Sequence, residues 1–516
     1  MTELDLPRAM IDTLTTAGAW VIVLPIVLAL MGGALMLVLR QAGRLSLLVA
    51  LVVVGAIIAC EIALLIRIAE VGPVSMTMGR WLPPFGISLT ADLFSAAFAL
   101  AASVVTFVVL VYAEIDRDTG DRNNNFHALV LLLLAGVTGA FLTGDLFNLY
   151  VWFEVMLIAS FGLLVTGGSA AQMDGAVKYG FLNFLATTLF LLSLGLLYGL
   201  LGTLNMADIM RVAPMANSAA MTGVAALLLL AFGMKAAAFP LNAWLPAAYH
   251  TPPAAVSALF AGLLTKVGAY ALLRALVAVL PASRDLLEPV LLILAIGTLL
   301  TAPLGAIAET NLRRGVGFLV IGGIGAVLAG LALANVSGVA GAGLYIFHAM
   351  LTMTALYLVV GLVERRTGAR DTRQMGGLYA ANSGLSILFL VLILAAAGVP
   401  PFLGFWPKLI LLEAGVEAGG WGAAVVGALV INAVLTLIAG ARLWSHIFWR
   451  NAPDGASGQA GQGGAPGYVA VGALTLAIVA AGLWPNPLIE GGQIAAGDIL
   501  DPARYVSAVG LAEAQP

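Results

Sequence analysis

Apolar segments of about twenty residues, the length that one α-helix needs to cross a lipid bilayer, follow one another along almost the whole chain. Of the 516 residues, 61% are hydrophobic and only 9% are charged. An ordinary soluble domain has about 25% charged residues, because it needs a polar surface. The sequence therefore predicts an all-α, polytopic integral membrane protein.

Fourteen transmembrane helices are predicted. They cover residues 17–39, 46–69, 91–113, 126–143, 146–167, 178–201, 219–239, 254–280, 286–307, 314–335, 338–363, 382–415, 420–443 and 467–485. The segment 382–415 is too long for one straight span and contains Pro400, Pro401 and Pro407, so we expect it to be broken in the middle. A similar break is expected after Lys235, because Pro240 follows it closely.

The basic residues outside the predicted spans are divided unevenly between the two sides of the membrane. One side has Arg40, Arg44, Arg117, Arg122, Lys178, Arg313, Arg314, Arg365, Arg366, Arg370, Arg373, Arg442 and Arg450, and the other has Arg8, Arg80, Arg211, Arg284 and Arg504. The more positive side is expected to be cytoplasmic. With an even number of helices, both termini are then external, and the protein is predicted to lie in the cell (inner) membrane.

Several classes of function are not supported. The net charge of −3 indicates no nucleic-acid partner. Cys60 is the single cysteine, so there is no internal disulfide and no cysteine framework for zinc or iron–sulfur. No Gly-rich loop follows a strand pattern, and no histidines and carboxylates have metal-site spacing. We expect no cofactor, no metal and no covalent catalysis.

Lysine is distributed differently from arginine. The chain has nineteen arginines, mostly at loops or helix ends, and four lysines, of which Lys235, Lys266 and Lys408 fall within apolar segments. A guanidinium stays protonated, whereas a buried ammonium can release its proton. Each buried charge costs about 2.5–3.5 kcal/mol on insertion scales. Either these lysines exchange protons, or some of them snorkel to an interface or form static pairs.

Two carboxylates, nine residues apart and nearly on opposite faces, belong to the fifth predicted helix and its N-terminal end. Glu154 is midway along it, whereas Asp145 is at its end and is interpreted as an interfacial residue or a cap with a possible supporting role. No charged residue lies within four positions of Glu154, so its partner must come from another helix, and Lys235 is the natural candidate. Such a pair would titrate as a unit.

The remaining polar residues of interest are two histidines, a tyrosine and two further charged residues. His348 lies within a span and is either a proton relay or a packing histidine. His250, with Tyr249 beside it, is a possible pathway mouth. Glu61 and Arg67 are assigned structural or partner-facing roles. The strings FPLNAWLP and PPFLGFWPK resemble each other and suggest inverted repeats, unless they coincide by chance in a chain with 22 prolines.

Three strings together resemble the Mrp-type multisubunit Na+/H+ antiporters, specifically their D-type subunits, within the superfamily shared with respiratory complex I. They are GDLFNLYVWFEVML (144–157), GMKAAAFPLNAWLPAAYHTPPAAVSALFAGLLTKVGAYALLR (233–274) and AGVPPFLGFWPKLILL (397–412). The turn-rich segment 71–90 predicts a short hairpin, and the segment 451–466 is predicted to be a flexible loop. The resemblance implies inverted five-helix repeats over 126–280 and 286–443. Residues 1–125 then form a first part, and 444–516 form a last part with the loop, the fourteenth helix and a C-terminal tail. In that family, buried groups at the positions of Glu154, Lys235, Lys266 and Lys408 form a proton path, with His348 between the last two.

The chain departs from the family at two places. Complex I relatives usually have a histidine where this chain has Tyr249, with His250 next to it. Many members have a lysine where this chain has Met353, so the central relay would depend on His348 and water. We also expect no long lateral helix after the fourteenth, which distinguishes the chain from the distal complex I subunit type.

The function expected is proton translocation within a monovalent cation (Na+ or K+)/H+ antiporter. The partners implied are the A, B, C, E, F and G types of Mrp subunit, together with H+, the exchanged cation and membrane lipid. The first alternative is a proton-pumping subunit of a redox-linked complex, complex I-like or a membrane hydrogenase. The second is a non-transporting scaffold, which would have no use for three buried lysines.

Overall fold

The computed structural model describes residues 10–11, 17–79, 81–115, 125–451 and 464–511. Within these ranges, eleven helices are long and apolar enough to cross a membrane, and three shorter apolar helices accompany them. Each of the fourteen predicted segments overlaps one of these helices. The predicted basic residues Arg8, Arg80, Arg117 and Arg122, and most of the predicted loop 451–466, lie outside the described residues.

The helices are numbered in chain order. They are α1 (Leu24–Val38), α2 (Arg44–Val71), α3 (Leu93–Tyr112), α4 (Phe126–Leu142), α5 (Leu146–Leu164), α6 (Ala170–Leu201), α7 (Met206–Val212), α8 (Ser218–Ala236), α9 (Trp244–Tyr249), α10 (Ala254–Leu259), α11 (Thr265–Leu272), α12 (Pro281–Ala308), α13 (Leu312–Leu333), α14 (Val336–Thr367), α15 (Leu378–Ala381), α16 (Ser383–Ala397), α17 (Phe405–Ala418), α18 (Gly422–Trp444), α19 (Ala465–Leu483), α20 (Asn486–Leu500) and α21 (Ala503–Val509). Strands β1 (Val74–Thr77) and β2 (Ser88–Ala91) pair antiparallel where the sequence predicts a hairpin.

The bundle has a buried centre and an apolar outer surface. The continuous helix 254–279, α13 and α14 are almost completely buried. In contrast, only about a third or less of α2 and α6 is buried, as expected of helices that face lipid or partner subunits. Polar side chains on the central helices are therefore shielded from lipid by the chain itself.

Two helices are interrupted where proline was expected to break them. Helix α8 ends at Ala236, and α9 begins at Trp244. Helix α16 ends at Ala397, next to Gly398 with φ 84°, and α17 begins at Phe405. Each interruption leaves the last carbonyl groups of a helix without an intrahelical partner inside the protein.

A third irregularity was not predicted. The segment 254–279, expected to be a regular helix, contains π-helical turns at Phe260–Leu264 and Leu273–Val279. A π turn adds one residue to the hydrogen-bonded ring and is not marked by proline, so an apolar sequence pattern does not show it.

The chain also has helices that the hydropathy pattern did not predict. Helix α20 follows the last predicted span, in a region interpreted as a tail, and it packs against α14 and α3. Its sequence, NPLIEGGQIAAGDIL, is too polar and too short for a span.

Helix α6 begins eight residues before its predicted start, because Ser169 and Gln172 form a capping box there.

A buried ion pair connects α3 to the central helix. Asp92 caps α3 by accepting from the Ser95 N–H (2.9 Å) and is also paired with Arg274. The guanidinium of Arg274 donates to the Tyr270 hydroxyl (3.1 Å) and lies 5.1 Å from the ring of Tyr505. Both charged side chains are about 2% exposed, so each depends on the other for neutralisation.

Replacing Arg274 with methionine is therefore expected to destabilise the protein, because removing one partner of a buried pair costs about 3–5 kcal/mol. The melting temperature of the purified protein in detergent should fall clearly. The double variant Asp92→Asn, Arg274→Met should be more stable than Arg274→Met alone, since asparagine keeps the helix cap. A wild-type melting temperature for Arg274→Met would contradict this role of the pair.

Candidate functional site

Lys235 lies in the last turn of α8, beside the first interruption, and is 5% exposed. Its Nζ donates to the hydroxyl of Thr187 on α6 (3.0 Å). It also lies 4.7 Å from the centre of the Phe153 ring on α5, a cation–π contact. The ammonium group is thus held by a neutral hydroxyl and a ring face.

Glu154, the expected partner of Lys235, is a neighbour rather than a contact. The two groups interact electrostatically but form no ion pair within 4.0 Å. Successive helical residues point about 100° apart, so the face of α5 that presents Phe153 to Lys235 turns Glu154 away. Oε1 of Glu154 is buried without a hydrogen-bond partner. Asp145 caps α5 by accepting from the Asn148 N–H (2.8 Å), which is the cap that its position predicted.

A small cavity lies beside Lys235. Its volume is about 20 Å³, enough for one water molecule. It is lined by Phe153, Met156, Leu157, Tyr179, Asn183, Lys235, Trp244 and Leu264. Because Asn183 and Lys235 provide polar groups there, a water molecule could bond to the ammonium within this cavity.

Lys266 lies immediately after the first π turn and is 1% exposed. Its Nζ donates to the carbonyl oxygen of Ala261 (2.6 Å), which is within that turn, and to the hydroxyl of Thr265 (3.2 Å). A Cβ on Gly268 would lie only 2.9 Å from the backbone nitrogen of Ala236. Glycine at this position therefore lets the Lys266 helix approach the end of α8 closely.

Lys408 lies at the second interruption. Its Nζ donates to the carbonyl oxygens of Ala396 (3.2 Å) and Ala397 (2.7 Å), the last two residues of α16. A cation at the C-terminal end of a helix also interacts favourably with the helix dipole. The buried ammonium therefore satisfies carbonyl groups that the break would otherwise leave free.

His348 on α14 connects the two halves of the site. It is completely buried and interacts electrostatically with both Lys266 and Lys408. Nδ1 is hydrogen-bonded to the hydroxyl of Thr352 (3.1 Å), whereas Nε2 is buried without a partner. A Cβ on Gly404, in the second interruption, would lie 2.8 Å from Nε2, so the free nitrogen faces that interruption. Met353 is buried beside Thr352 and adds no polar group.

Tyr249 and His250 lie just before the helix 254–279. Tyr249 is buried with its hydroxyl unpartnered, and its ring packs against Trp244 and Phe260. His250 Nδ1 is hydrogen-bonded to the carbonyl of Pro246 (2.9 Å). Burial lowers the pKa of His250, the Pro246 carbonyl opposes that shift, and nearby arginines lower the pKa further. His250 is therefore neutral at pH 7.

A larger cavity of about 570 Å³ lies at the more basic end of the bundle. Its lining includes Gln172, Thr251, Arg313, Glu364 and Arg370. Arg313 and Glu364 form a nearly buried bidentate pair (2.9 and 2.5 Å). The sequence did not single out this pair, because charged residues near helix ends are ordinary in membrane proteins.

Chemically, the site can bind and pass protons. Lysine, histidine and carboxylate groups accept and release protons, and hydroxyl groups such as those of Thr187 and Thr352 both donate and accept hydrogen bonds. These hydroxyls were missed, since an isolated threonine in an apolar helix gives no pattern. Within the described residues, no three histidine, cysteine, aspartate or glutamate side chains converge as a metal site.

Comparison with known proteins shows which family the chain is similar to. A family model described as NADH:quinone oxidoreductase/Mrp antiporter, TM matches residues 143–436. That range contains Glu154 and every buried lysine discussed above. The D-type subunit of the Na(+)/H(+) antiporter of Alkalihalophilus pseudofirmus is 34% identical over 492 residues, which cover 95% of this chain and 99% of that protein.

Two solved structures are similar over nearly the whole chain. One is the Mrp complex from Dietzia sp., of which one chain matches with a TM-score of 0.88, 29% identity and coverage of 96% of this chain and 100% of that chain. The other is the membrane-bound sulfane sulfur reductase, an archaeal respiratory membrane complex, with a TM-score of 0.85, 26% identity and the same coverage. The interrupted-helix fold is thus similar to chains of both kinds of complex.

Proposed function

Because this chain belongs to the family of D-type Na+/H+ antiporter subunits, we propose that it translocates protons in a multisubunit monovalent cation/H+ antiporter. It is a transporter subunit rather than an enzyme, and its partners are the other Mrp subunits, of types A, B, C, E, F and G. The exchanged cation is Na+ or K+. The assignment is based on the 34% sequence identity to the antiporter relative, which extends over 95% of the chain.

The proposed proton path runs from Glu154 and Lys235 through Lys266 and His348 to Lys408. The observation that supports it is the way the ammonium groups are held. Nζ of each buried lysine donates to hydroxyl or carbonyl oxygens, and no carboxylate in the described part of the chain accepts from it. A neutral acceptor does not fix the lysine in its charged form as a carboxylate would.

His348 is the proposed link between Lys266 and Lys408. Its unpartnered Nε2 can accept a proton, and it interacts with lysines on both sides. Two positive charges close to one imidazole repel each other and the protonated ring. Movement of a proton along the path would therefore change the charge state of the next group, and the resulting field would bias cation binding in a neighbouring subunit.

Coupling to a redox reaction is the alternative, and the similarity to a respiratory membrane complex favours it to some degree. Such a subunit would use the same path with energy from electron transfer elsewhere. The antiporter relative is more similar, at 34% identity against 26%. A scaffold without transport would not need three buried lysines, each of which costs about 2.5–3.5 kcal/mol on insertion scales.

The proposed architecture has fourteen spans, with inverted repeats over 126–280 and 286–443. Two isolated antiparallel bridges support the repeats: Asp145 pairs with Asn205, and Asn311 pairs with Asp371. Sixty positions separate the two residues in each bridge. In both bridges, each residue also caps the helical segment that follows it.

The proposed inversion follows from the surroundings of these bridges. Asn205 donates to the hydroxyl of Ser88 (3.2 Å) in the β1–β2 hairpin, which we assign to the external side. Asn311 is two residues from Arg313, on the basic side that we assign to the cytoplasm. Equivalent bridges on opposite sides are what an inverted repeat produces. Both termini are then external, with 1–125 preceding the repeats and 444–516 following them.

Glu154→Gln and Lys235→Ala should each abolish cation-dependent proton flux without loss of assembly, since each removes a proton carrier and leaves the packing of α5 and α8 in place. The measurement is proton flux in liposomes containing the purified complex. Lys178→Ala is the matched control, because Lys178 is exposed and pairs only with Asp174 on the same helix. Full exchange in both test variants would refute their assigned roles.

Thr187→Val should slow exchange markedly, because it removes the hydroxyl that accepts from Lys235 while keeping the side-chain shape. Thr188→Val is the neighbouring control: Thr188 is exposed, and its hydroxyl donates to the carbonyl of Phe184 instead. The same flux assay compares the two. Equal rates for both variants would show that the hydroxyl of Thr187 is not needed.

A further inference from the structure

A second buried carboxylate lies away from the lysine path. Glu61 is on α2, of which only 28% is buried, yet Glu61 itself is completely buried against the neighbouring helices. Neither of its carboxylate oxygens has a hydrogen-bond partner. An isolated ionised carboxylate is among the least favourable groups to bury, so this one must be neutralised by a bound proton or by a bound cation.

Two hydroxyl groups converge on this carboxylate from other helices. Ser103 on α3 and Thr138 on α4 are both completely buried and close enough to Glu61 to interact with it. Neither hydroxyl completes a hydrogen bond. In contrast, the buried hydroxyl of Thr106, one turn along α3, donates to the carbonyl of Ala102 (2.8 Å). Ser103 and Thr138 therefore keep their oxygen atoms available to a ligand at Glu61.

No cation of the chain neutralises Glu61 within the described residues. Arg67, on the same helix, lies against Gly18 in the helical turn Ala17–Ile22. The helices α1, α3 and α4, which pack against α2, contain no lysine, arginine, aspartate or glutamate, and they bring the hydroxyls of Ser103 and Thr138 to the carboxylate. The thiol of Cys60, next to Glu61 on α2, also interacts with it.

We propose that Glu61, Ser103 and Thr138 form a binding site for a dehydrated alkali cation, which competes with a proton for the carboxylate. Carboxylate and hydroxyl oxygens are hard ligands that suit such a cation. A hydroxyl can turn its lone pairs to the cation or its proton to the carboxylate, so the same three side chains serve both states. Binding of one cation releases one proton to the solvent and leaves the net charge of the site unchanged.

The physiological role of this site rests on the proposed cation/proton exchange. In that exchange, the site is where the cation binds to this subunit. Its existence does not depend on the lysine path, from which it is separate. Binding is therefore the property to test, because a binding measurement succeeds or fails independently of transport.

The experiment uses the purified complex and infrared difference spectra recorded when choline chloride is replaced by NaCl or KCl at constant pH. The wild type should lose the carbonyl-stretch band of a protonated carboxylic acid when either cation is added, and the loss should require more cation at lower pH. Glu61→Gln, which keeps the shape of the side chain, should lack that difference band. An identical band in Glu61→Gln, or no band in the wild type with either cation, would overturn the proposal.

Three further variants separate binding from structure and from transport. Thr138→Val keeps the side-chain shape but removes one oxygen ligand, so the apparent cation affinity should fall about tenfold; Ser386→Ala, which removes another buried unpartnered hydroxyl, should leave it unchanged. Unchanged affinity in Thr138→Val would contradict the site. Lys235→Ala should keep the difference band while losing flux, so a failure of the lysine path leaves the test at Glu61 intact.

Discussion

Each of the three buried ammonium groups in this protein is held by neutral oxygen atoms. These are backbone carbonyl oxygens at an irregular point of a helix, or hydroxyl oxygens of neighbouring residues. Lys408 binds the last carbonyls of α16, and Lys266 binds a carbonyl within a π turn. Inside a bilayer an unpaired backbone group costs several kcal/mol, so a helix can be interrupted only where another group satisfies it. Lys408 thus satisfies carbonyl groups at the second interruption and Lys266 satisfies one in the π turn, and these carbonyls in turn supply the two lysines with neutral acceptors.

This mutual dependence explains why the polar groups lie where the helices are most completely buried. The helix 254–279 and α14, which carry Lys266 and His348, have almost no contact with lipid. A fixed ion pair between Asp92 and Arg274 connects the same central helix to α3. The charges of Asp92 and Arg274 are hydrogen-bonded to each other, whereas the described hydrogen bonds of the three buried lysines go to hydroxyl and carbonyl oxygens. The charges with a structural role therefore differ in their hydrogen-bond partners from the lysines proposed to carry protons.

Hydropathy and proline positions were sufficient to predict the membrane class, the positions of the spans and the two interruptions, because these follow from local sequence. The end of α8 after Lys235 and the gap beside Pro400 are examples. The π turns, the contact of Lys235 with Thr187 and the offset of Glu154 from Lys235 depend on how helices are rotated against each other. Rotation is a tertiary property, and the sequence of an apolar helix has little periodic pattern that could indicate it.

Glu61 shows the same limit of sequence-based prediction. Its surroundings are contributed by α3 and α4, so its sequence neighbours could not indicate a ligand site.

The most direct test of the account concerns Lys266, the middle lysine of the path. Proton flux driven by a cation gradient should be measured in liposomes containing complexes with Lys266→Arg or Lys266→Met. Arginine keeps a positive charge that can bond to the carbonyl of Ala261, but a guanidinium does not release its proton. The account predicts that both complexes assemble and that neither carries flux. Wild-type flux with Lys266→Arg would show that a fixed charge is sufficient there, and the claim that protons pass through the buried lysines would be wrong.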